Sequence, residues 1–369
     1  ILIGLVGSEM CIRDRFYPDS IYIDRLSRIP SIMEMPYNDV VRKFIDMYSG
    51  RLRNSVSVML GACNFYIPLF EEALDVYGLP HELKYLPIIE SALKPTAVSR
   101  AGASGLWQFM LGTGKLYGLE SNSLIDERRD PIKATYAAAR YLKDLYDIFK
   151  DWNLVIAAYN CGPGNITKAI HRANGATDYW EIYNYLPKET RGYVPAFIAA
   201  NYIMNYYCDH NICPMETNIP ASTDTVQVTQ NLHFEQIAEL CNVPLDEVKS
   251  LNPQYKKQII PGTTKPCTLR LPQGAISAFI DKQDTIYAHR ADELFRNRKT
   301  VAVKEITPAT RRQTSAIAGK GKLTYYKIKS GDTLSSIAEK LGVRVRDIQQ
   351  WNGMSNTRIS AGKQLKIYK

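Results

Sequence analysis

The sequence predicts a mainly α domain followed by small α+β units of strand–helix–helix–strand (βααβ) order. Three observations carry this. Between Tyr37 and Tyr207, apolar residues recur at helical spacing and are punctuated by Gly, Pro and an Asp-Pro pair. Beyond a Pro-, Thr- and Ser-rich connection at Pro214 to Asp224, short β-prone pieces flank paired helical ones, and this order occurs twice. The charge also divides: residues 299–369 hold 15 Lys and Arg against 4 Asp and Glu, so the basic surplus belongs to the C-terminal piece. Such a piece suits an anionic polymer, of cell wall or nucleic acid, or serves solubility, and charge alone does not separate these.

Taken in order, Leu5 to Arg15 (LVGSEMCIRDR) resembles translated sequencing-adapter read-through, so residues 1–15 are set aside as an artefact. Ile1 to Val6 is too short for a secretory apolar region and has no basic residue ahead of it. The expectation is that the native start, with any export signal or lipid-attachment cysteine, is missing. No run of about 18 apolar residues exists, so no membrane span is expected.

Residues 16–60 form a helical lead-in, with apolar Val40, Val41, Phe44, Ile45 and Tyr48 on one face of a helix over Tyr37 to Tyr48. Residues 61–213 form the main α domain. A helix over Asn64 to Tyr77 stops at Gly78 and Pro80, and helix resumes at His81, where Pro87 either kinks it or sits in its first turn. Ala101 to Gly105 is a loop of small residues that lets a bulky ligand approach the backbone. Asp130 caps a helix that starts at Pro131 and continues through Ala134 to Phe149. Helices follow over Trp152 to Tyr159 and from Ile166, and Ala196 to Tyr207 closes the domain. Residues 224–272 and 323–369 are the two βααβ units, joined by a basic linker at 298–322.

Within this plan one acid stands out. Glu90 follows the apolar Leu86, Ile88 and Ile89, and burial against such a wall raises a carboxyl pKa towards neutrality, as a general acid requires. Asp126, Glu127 and Asp130 are explained by a turn and a helix cap. Trp107 either stacks on a ligand or packs in the core. Six cysteines remain beside Cys11; Cys208–Cys213 and Cys241–Cys267 are the pairings to test if the protein is oxidised, and free buried thiols are the equal alternative. Cys208, His210 and Cys213 faintly resemble a metal set, but no second ligand pair follows, and no metal is expected.

The ordered set Glu90-Ser91, Ser99, Gly105-Leu106-Trp107-Gln108, Ala158 to Gly162 and Glu189 to Pro195 resembles the lytic transglycosylase domain of the goose-lysozyme-like superfamily. Within it, the resemblance is to the membrane-bound lytic murein transglycosylase D group, whose catalytic domain precedes LysM modules. Ser330 to Leu334, Ile337, Ala338, Asn352, Ile359, Gly362, Gln364 and Leu365 resemble a LysM domain, and residues 224–272 a degenerate one without the Ser-Gly-Asp-Thr loop.

The resemblance implies a lysozyme-like fold, with Glu90 as catalytic acid and then base. It places Ser91, Ser99, Gln108, Met110, Tyr159, Asn160, Glu189 and Tyr193 around a glycan. It also implies glycan contacts in the LysM unit at Gly331, Asp332, Thr333, Leu334, Asn352 and Ile359. The implied reaction cuts the β-1,4 bond between N-acetylmuramic acid and N-acetylglucosamine and forms a 1,6-anhydro sugar, with no cofactor. Hydrolysis by the same fold, or glycan binding without catalysis, are the alternatives. The expected partner is the peptidoglycan glycan strand rather than nucleic acid. The expected molecule is an exported monomer of the periplasm or outer membrane, with any membrane anchor lost with the missing start.

Overall fold

The computed structural model describes residues 17–217, 219–220, 222–295, 323–329, 332–354 and 359–368. The expected artefact at 1–15, the linker at 298–322 and Gly331 lie outside the described residues. The chain divides into two compact units, residues 1–305 and 306–369.

The first unit opens with helices α1 (Asp19–Arg28), α2 (Asp39–Ser49) and α3 (Arg53–Tyr77). Asn38 starts α2 by accepting from the amides of Val40 and Val41, both at 3.0 Å. The lead-in shares the core of the main domain, since Tyr22, Val41, Ile45 and Val56 are fully buried there. Helix α3 begins 11 residues before the expected Asn64 and runs through Pro68. At Gly61 the chain around Met215 crosses this helix so closely that a Cβ would lie 1.9 Å from the Met215 carbonyl oxygen.

A 3₁₀ turn at His81–Tyr85 leads into the short α4 (Leu86–Ser91), with Pro87 in its first turn rather than at a kink. After α5 (Leu111–Leu116), the Asp130 carboxylate caps α6 (Pro131–Phe149), accepting from Ile132 and Lys133 N–H at 3.0 Å. Then come α7 (Trp152–Cys161), α8 (Pro163–Arg172), α9 (Tyr179–Ile182) and α10 (Tyr193–Tyr206). Helix α10 closes the domain in chain order, three residues earlier than the expected Ala196, and 11 of its 14 residues are buried. It packs against α2, α4 and α7 and forms the axis of the core.

The βααβ region of this unit pairs β1 (Thr223–Val228) antiparallel with β4 (Cys267–Pro272), in register Thr223 to Pro272. Between them lie α11 (Phe234–Cys241), α12 (Leu245–Leu251) and an additional short pair, β2 (Asn231–His233) with β3 (Ile259–Pro261), which the sequence pattern did not reveal. The second unit pairs β5 (Leu323–Lys327) with β6 (Gln364–Tyr368) around helices Leu334–Leu341 and Val345–Trp351. Both units use one device to hold the last strand. The Asn252 amide donates to Val248 O (2.9 Å) and Arg270 O (2.7 Å) and accepts from Arg270 N (2.8 Å). Asn352 repeats this with Ile348 O (2.8 Å), Lys366 O (2.8 Å) and Lys366 N (2.7 Å).

The six cysteines of the described residues are all free, which matches the free-thiol alternative rather than either candidate pairing. Cys241 and Cys267 are buried as apolar side chains in the core around β4, whereas Cys208 and Cys213 are exposed. His210 belongs to an aromatic cage of Tyr17, Tyr22 and Tyr202, with its ring nitrogen 3.0 Å from the Tyr202 hydroxyl. Burial there lowers its pKa to about 4. Among the described residues no group of three or more His, Cys, Asp or Glu side chains is arranged to hold a metal ion.

Candidate active site

Helix α4 ends abruptly because Ala92 and Leu93 both adopt left-handed backbone angles, with φ of +51° and +57°. Glu90 therefore sits in a last helical turn, backed by the buried Leu86 and Ile88. The Tyr193 hydroxyl, at the start of α10, donates to Glu90 Oε1. Burial pushes the Glu90 carboxyl up to about 7, and the Tyr193 hydrogen bond partly opposes that rise. The Tyr193 and Tyr159 phenols are raised well above their ordinary value, first by burial and then by the Glu90 charge, so both stay neutral donors.

Facing Glu90 is the loop of small residues. Ser104 N–H donates to Phe109 O (3.1 Å) and Gly105 N–H to Ala97 O (3.0 Å), folding residues 97–109 back on themselves. Gly105 has φ +91°, and a Cβ there would lie 1.7 Å from Arg128 O, so only glycine fits. Gln108 is also left-handed, at φ +47°, and its side-chain nitrogen donates to Gly105 O (2.8 Å) and Ala97 O (3.2 Å). Trp107 is fully buried, donates to Thr135 Oγ1 (2.9 Å) and meets Phe70 edge-on, which settles it as core. Its carbonyl accepts from the Tyr159 hydroxyl at 2.8 Å.

Two hollows, of about 740 Å³ and about 660 Å³, meet at Glu90, Ser99, Gln108 and Glu189, which line both. The first continues over Met110, Tyr159 and Asn160, and the second over Tyr193 and the apolar Phe44, Met47 and Leu52 of the lead-in. Ser99 is exposed, with its hydroxyl accepting from Ala103 N–H (3.0 Å). Asn160 Oδ1 accepts from the buried Thr190 hydroxyl (2.9 Å), tying α7 to the segment before α10. Glu189 is exposed. Arg191 does not pair with it, and instead donates to Leu186 O (3.1 Å) and Asn184 O (2.6 Å).

Ser91 lines the second hollow with little of it exposed. It is buried, and its hydroxyl lies between Pro87 O (3.0 Å) and Leu106 O (2.9 Å), joining the end of α4 to the facing loop. Sequence reasoning missed Arg128, which is buried and holds that loop from behind, and the lead-in wall. The wall was half visible, since Phe44 lay on the apolar stripe of α2; nothing in the chain order indicated that the stripe's edge faces a cleft.

In the second unit the expected glycan contacts separate. Asp332 accepts from Tyr326 Oη (3.0 Å) and Lys329 N–H (2.9 Å), and Thr333 forms a reciprocal helix cap with Ser336. Leu334 is 1% exposed and so belongs to the core, with the half-buried Ile359 packed against it. Asn352 uses both amide donors on backbone carbonyls, which makes it a strand clamp.

A transglycosylase SLT domain model matches residues 68–182, which include Glu90 and most of the cleft. A model of the lytic transglycosylase MltD LysM-like domain matches residues 222–288, and a LysM domain model matches residues 326–367. Fold and site thus define a lysozyme-like transglycosylase domain, mainly α, followed by α+β LysM modules. The membrane-bound lytic murein transglycosylase D of Escherichia coli (strain K12) is 31% identical over 341 residues, covering 91% of this chain and 70% of that protein. The chain belongs to the membrane-bound lytic murein transglycosylase D family. The soluble lytic murein transglycosylase of the same strain is 32% identical over 124 residues, covering 32% of this chain and 19% of that one. Among solved structures, the 70 kDa soluble lytic transglycosylase from Escherichia coli matches with 29% identity and a TM-score of 0.34, covering 39% of this chain and 24% of that one.

Proposed function

We propose that Glu90 is the acid and then the base of a peptidoglycan lytic transglycosylase. The bond cut is the β-1,4 link between N-acetylmuramic acid and N-acetylglucosamine, and the product carries a 1,6-anhydro-N-acetylmuramic acid end. The observation that carries this reading is the state of Glu90: a carboxyl pushed to about 7, under a neutral phenol, where two hollows meet. A group with that pKa gives and takes a proton near neutrality at similar cost.

Cleavage begins when the Glu90 carboxylic acid protonates the leaving glycosidic oxygen as the C1–O bond breaks. In this reading the sugar's own 2-acetamido oxygen stabilises C1, and Glu90 serves in both proton transfers. The Glu90 carboxylate then takes the proton from the sugar 6-hydroxyl, and O6 closes on C1. No water enters the product, and Glu90 ends protonated as it began.

The LysM unit at 326–367 supports retention on the same polymer. A bacterial envelope location, outside the cytoplasmic membrane, follows from that substrate. Among the described residues no helix is long and apolar enough to cross a membrane. Mass spectrometry of digested peptidoglycan tests the reaction. Anhydro ends are expected; reducing ends would replace the reading with hydrolysis, and an absence of products with the protein still bound would leave a wall-binding protein.

A further inference from the structure

The βααβ region of the first unit docks on the catalytic domain through a continuous set of contacts. Leu124 and Ile125, which belong by sequence to the catalytic domain, are each 3% exposed and sit in the core of that region with Val228, Leu232 and Phe234. Ile125 bridges Tyr255 antiparallel, Asp126 N–H donates to Gln254 O (2.9 Å) and Lys256 N–H donates to Leu124 O (2.8 Å). The Lys256 ammonium donates to Asn122 O, and Lys265 pairs with Glu120.

From this seam the contacts run on to the cleft. The Asp126 carboxylate, 4% exposed, grips Arg128 with both oxygens, at 2.9 Å from Nε and 2.8 Å from Nη2. Arg128 Nη1 donates to Gly102 O (2.9 Å) and Phe109 O (3.0 Å), the two ends of the loop that carries Gln108 and faces Glu90. Arg129 adds a bond to Ser104 Oγ at 3.1 Å. One planar guanidinium therefore fastens both ends of the loop while its other edge is fixed by an acid whose own backbone is held by residue 254.

We propose that the LysM-like region at 222–288 is a brace of the catalytic domain, holding the cleft loop 102–109 in shape through Gln254, Asp126 and Arg128. Arg128 is a positioning residue in this arrangement. The segment between α12 and β4, which supplies Gln254, Tyr255, Lys256 and Lys265, is committed to this contact. The brace rests on the proposed function only for its effect on turnover; its mechanical part stands apart.

Hydrogen exchange on the full chain tests it, with Ile125→Ser and Lys256→Met disturbing the seam and Arg128→Lys breaking the two-ended grip. Amides of Ser104, Gly105 and Gln108 are expected to exchange at least tenfold faster in all three, with α3 and α6 protected as in the wild type. Turnover of soluble glycan strands should fall about tenfold, and Ile125→Val should restore both readouts. Unchanged loop exchange in Lys256→Met and Arg128→Lys, each folded by the α3 and α6 criterion, would overturn the brace. If the wild type cut no glycan, the exchange result would still decide the brace, and only the proposed reaction would fall.

Discussion

In the proposed mechanism Glu90 and Tyr193 set the chemistry of the cleft, and each yields a measurable expectation. The folded state raises the Glu90 pKa to about 7 from an ordinary 4.5, so it holds this proton more tightly than the unfolded chain does. The corresponding stability is present below about pH 4.5 and is lost as pH rises through about 7. Glu90→Gln removes the titration, so its unfolding free energy should gain on the wild type between those limits and then plateau, by up to about 3 kcal/mol in chemical denaturation. Its turnover should fall about 10²- to 10⁴-fold, with glycan binding kept. Equal rates for wild type and variant would remove Glu90 from the reaction. Tyr193→Phe deletes the hydrogen bond that holds the Glu90 pKa down, so the alkaline limb of the rate profile should move to higher pH. An unmoved limb would show that the phenol does not tune the acid.

The elements owe their ends to local chemistry and their places to packing. Asp130, Pro131 and the Ala-rich run that follows specify α6 almost completely, because cap, first turn and apolar stripe agree. Helix α3 was legible only from residue 64 onward, and the role of Gly61, clearance for the chain at Met215, depends on a residue 154 positions away. The short β2–β3 pair escaped for a similar reason, since three-residue strands leave no alternation to detect. The asparagine clamp operates at this scale. Asn252 is fully buried, and Asn252→Ala would leave both Arg270 backbone groups without their partner. Chemical denaturation should show a loss of about 2–3 kcal/mol; a loss below about 0.5 kcal/mol would mean that the strand is held otherwise.

For the whole molecule, the chain divides into residues 1–305 and 306–369, and the proposed function assigns cutting to the first and retention to the second. A chain ending before residue 306 should sediment less with insoluble peptidoglycan while turning over soluble glycan strands within about twofold of the full chain. Retention by the full chain should also weaken with salt, because the surplus positive charge lies in residues 299–369. Full retention of the shortened chain would move glycan binding to the first unit.

The sequence by itself determined the mainly α class and the repeated βααβ units, and it pointed to Glu90, Ser91, Ser99, Gln108, Met110, Tyr159, Asn160, Glu189 and Tyr193, which line the two hollows. Those features rest on local pattern or on ordered motifs, which survive in one dimension. Tertiary structure alone decided that Trp107 is core, that Ser91 joins the loop to its helix, that Asn352 clamps a strand and that the six described cysteines stay free. It also brought Arg128 behind the cleft and Phe44 to its edge. The physical reason is the same throughout: a polar side chain's role is set by which partner burial leaves it, and those partners lie anywhere from 4 residues away to more than 100.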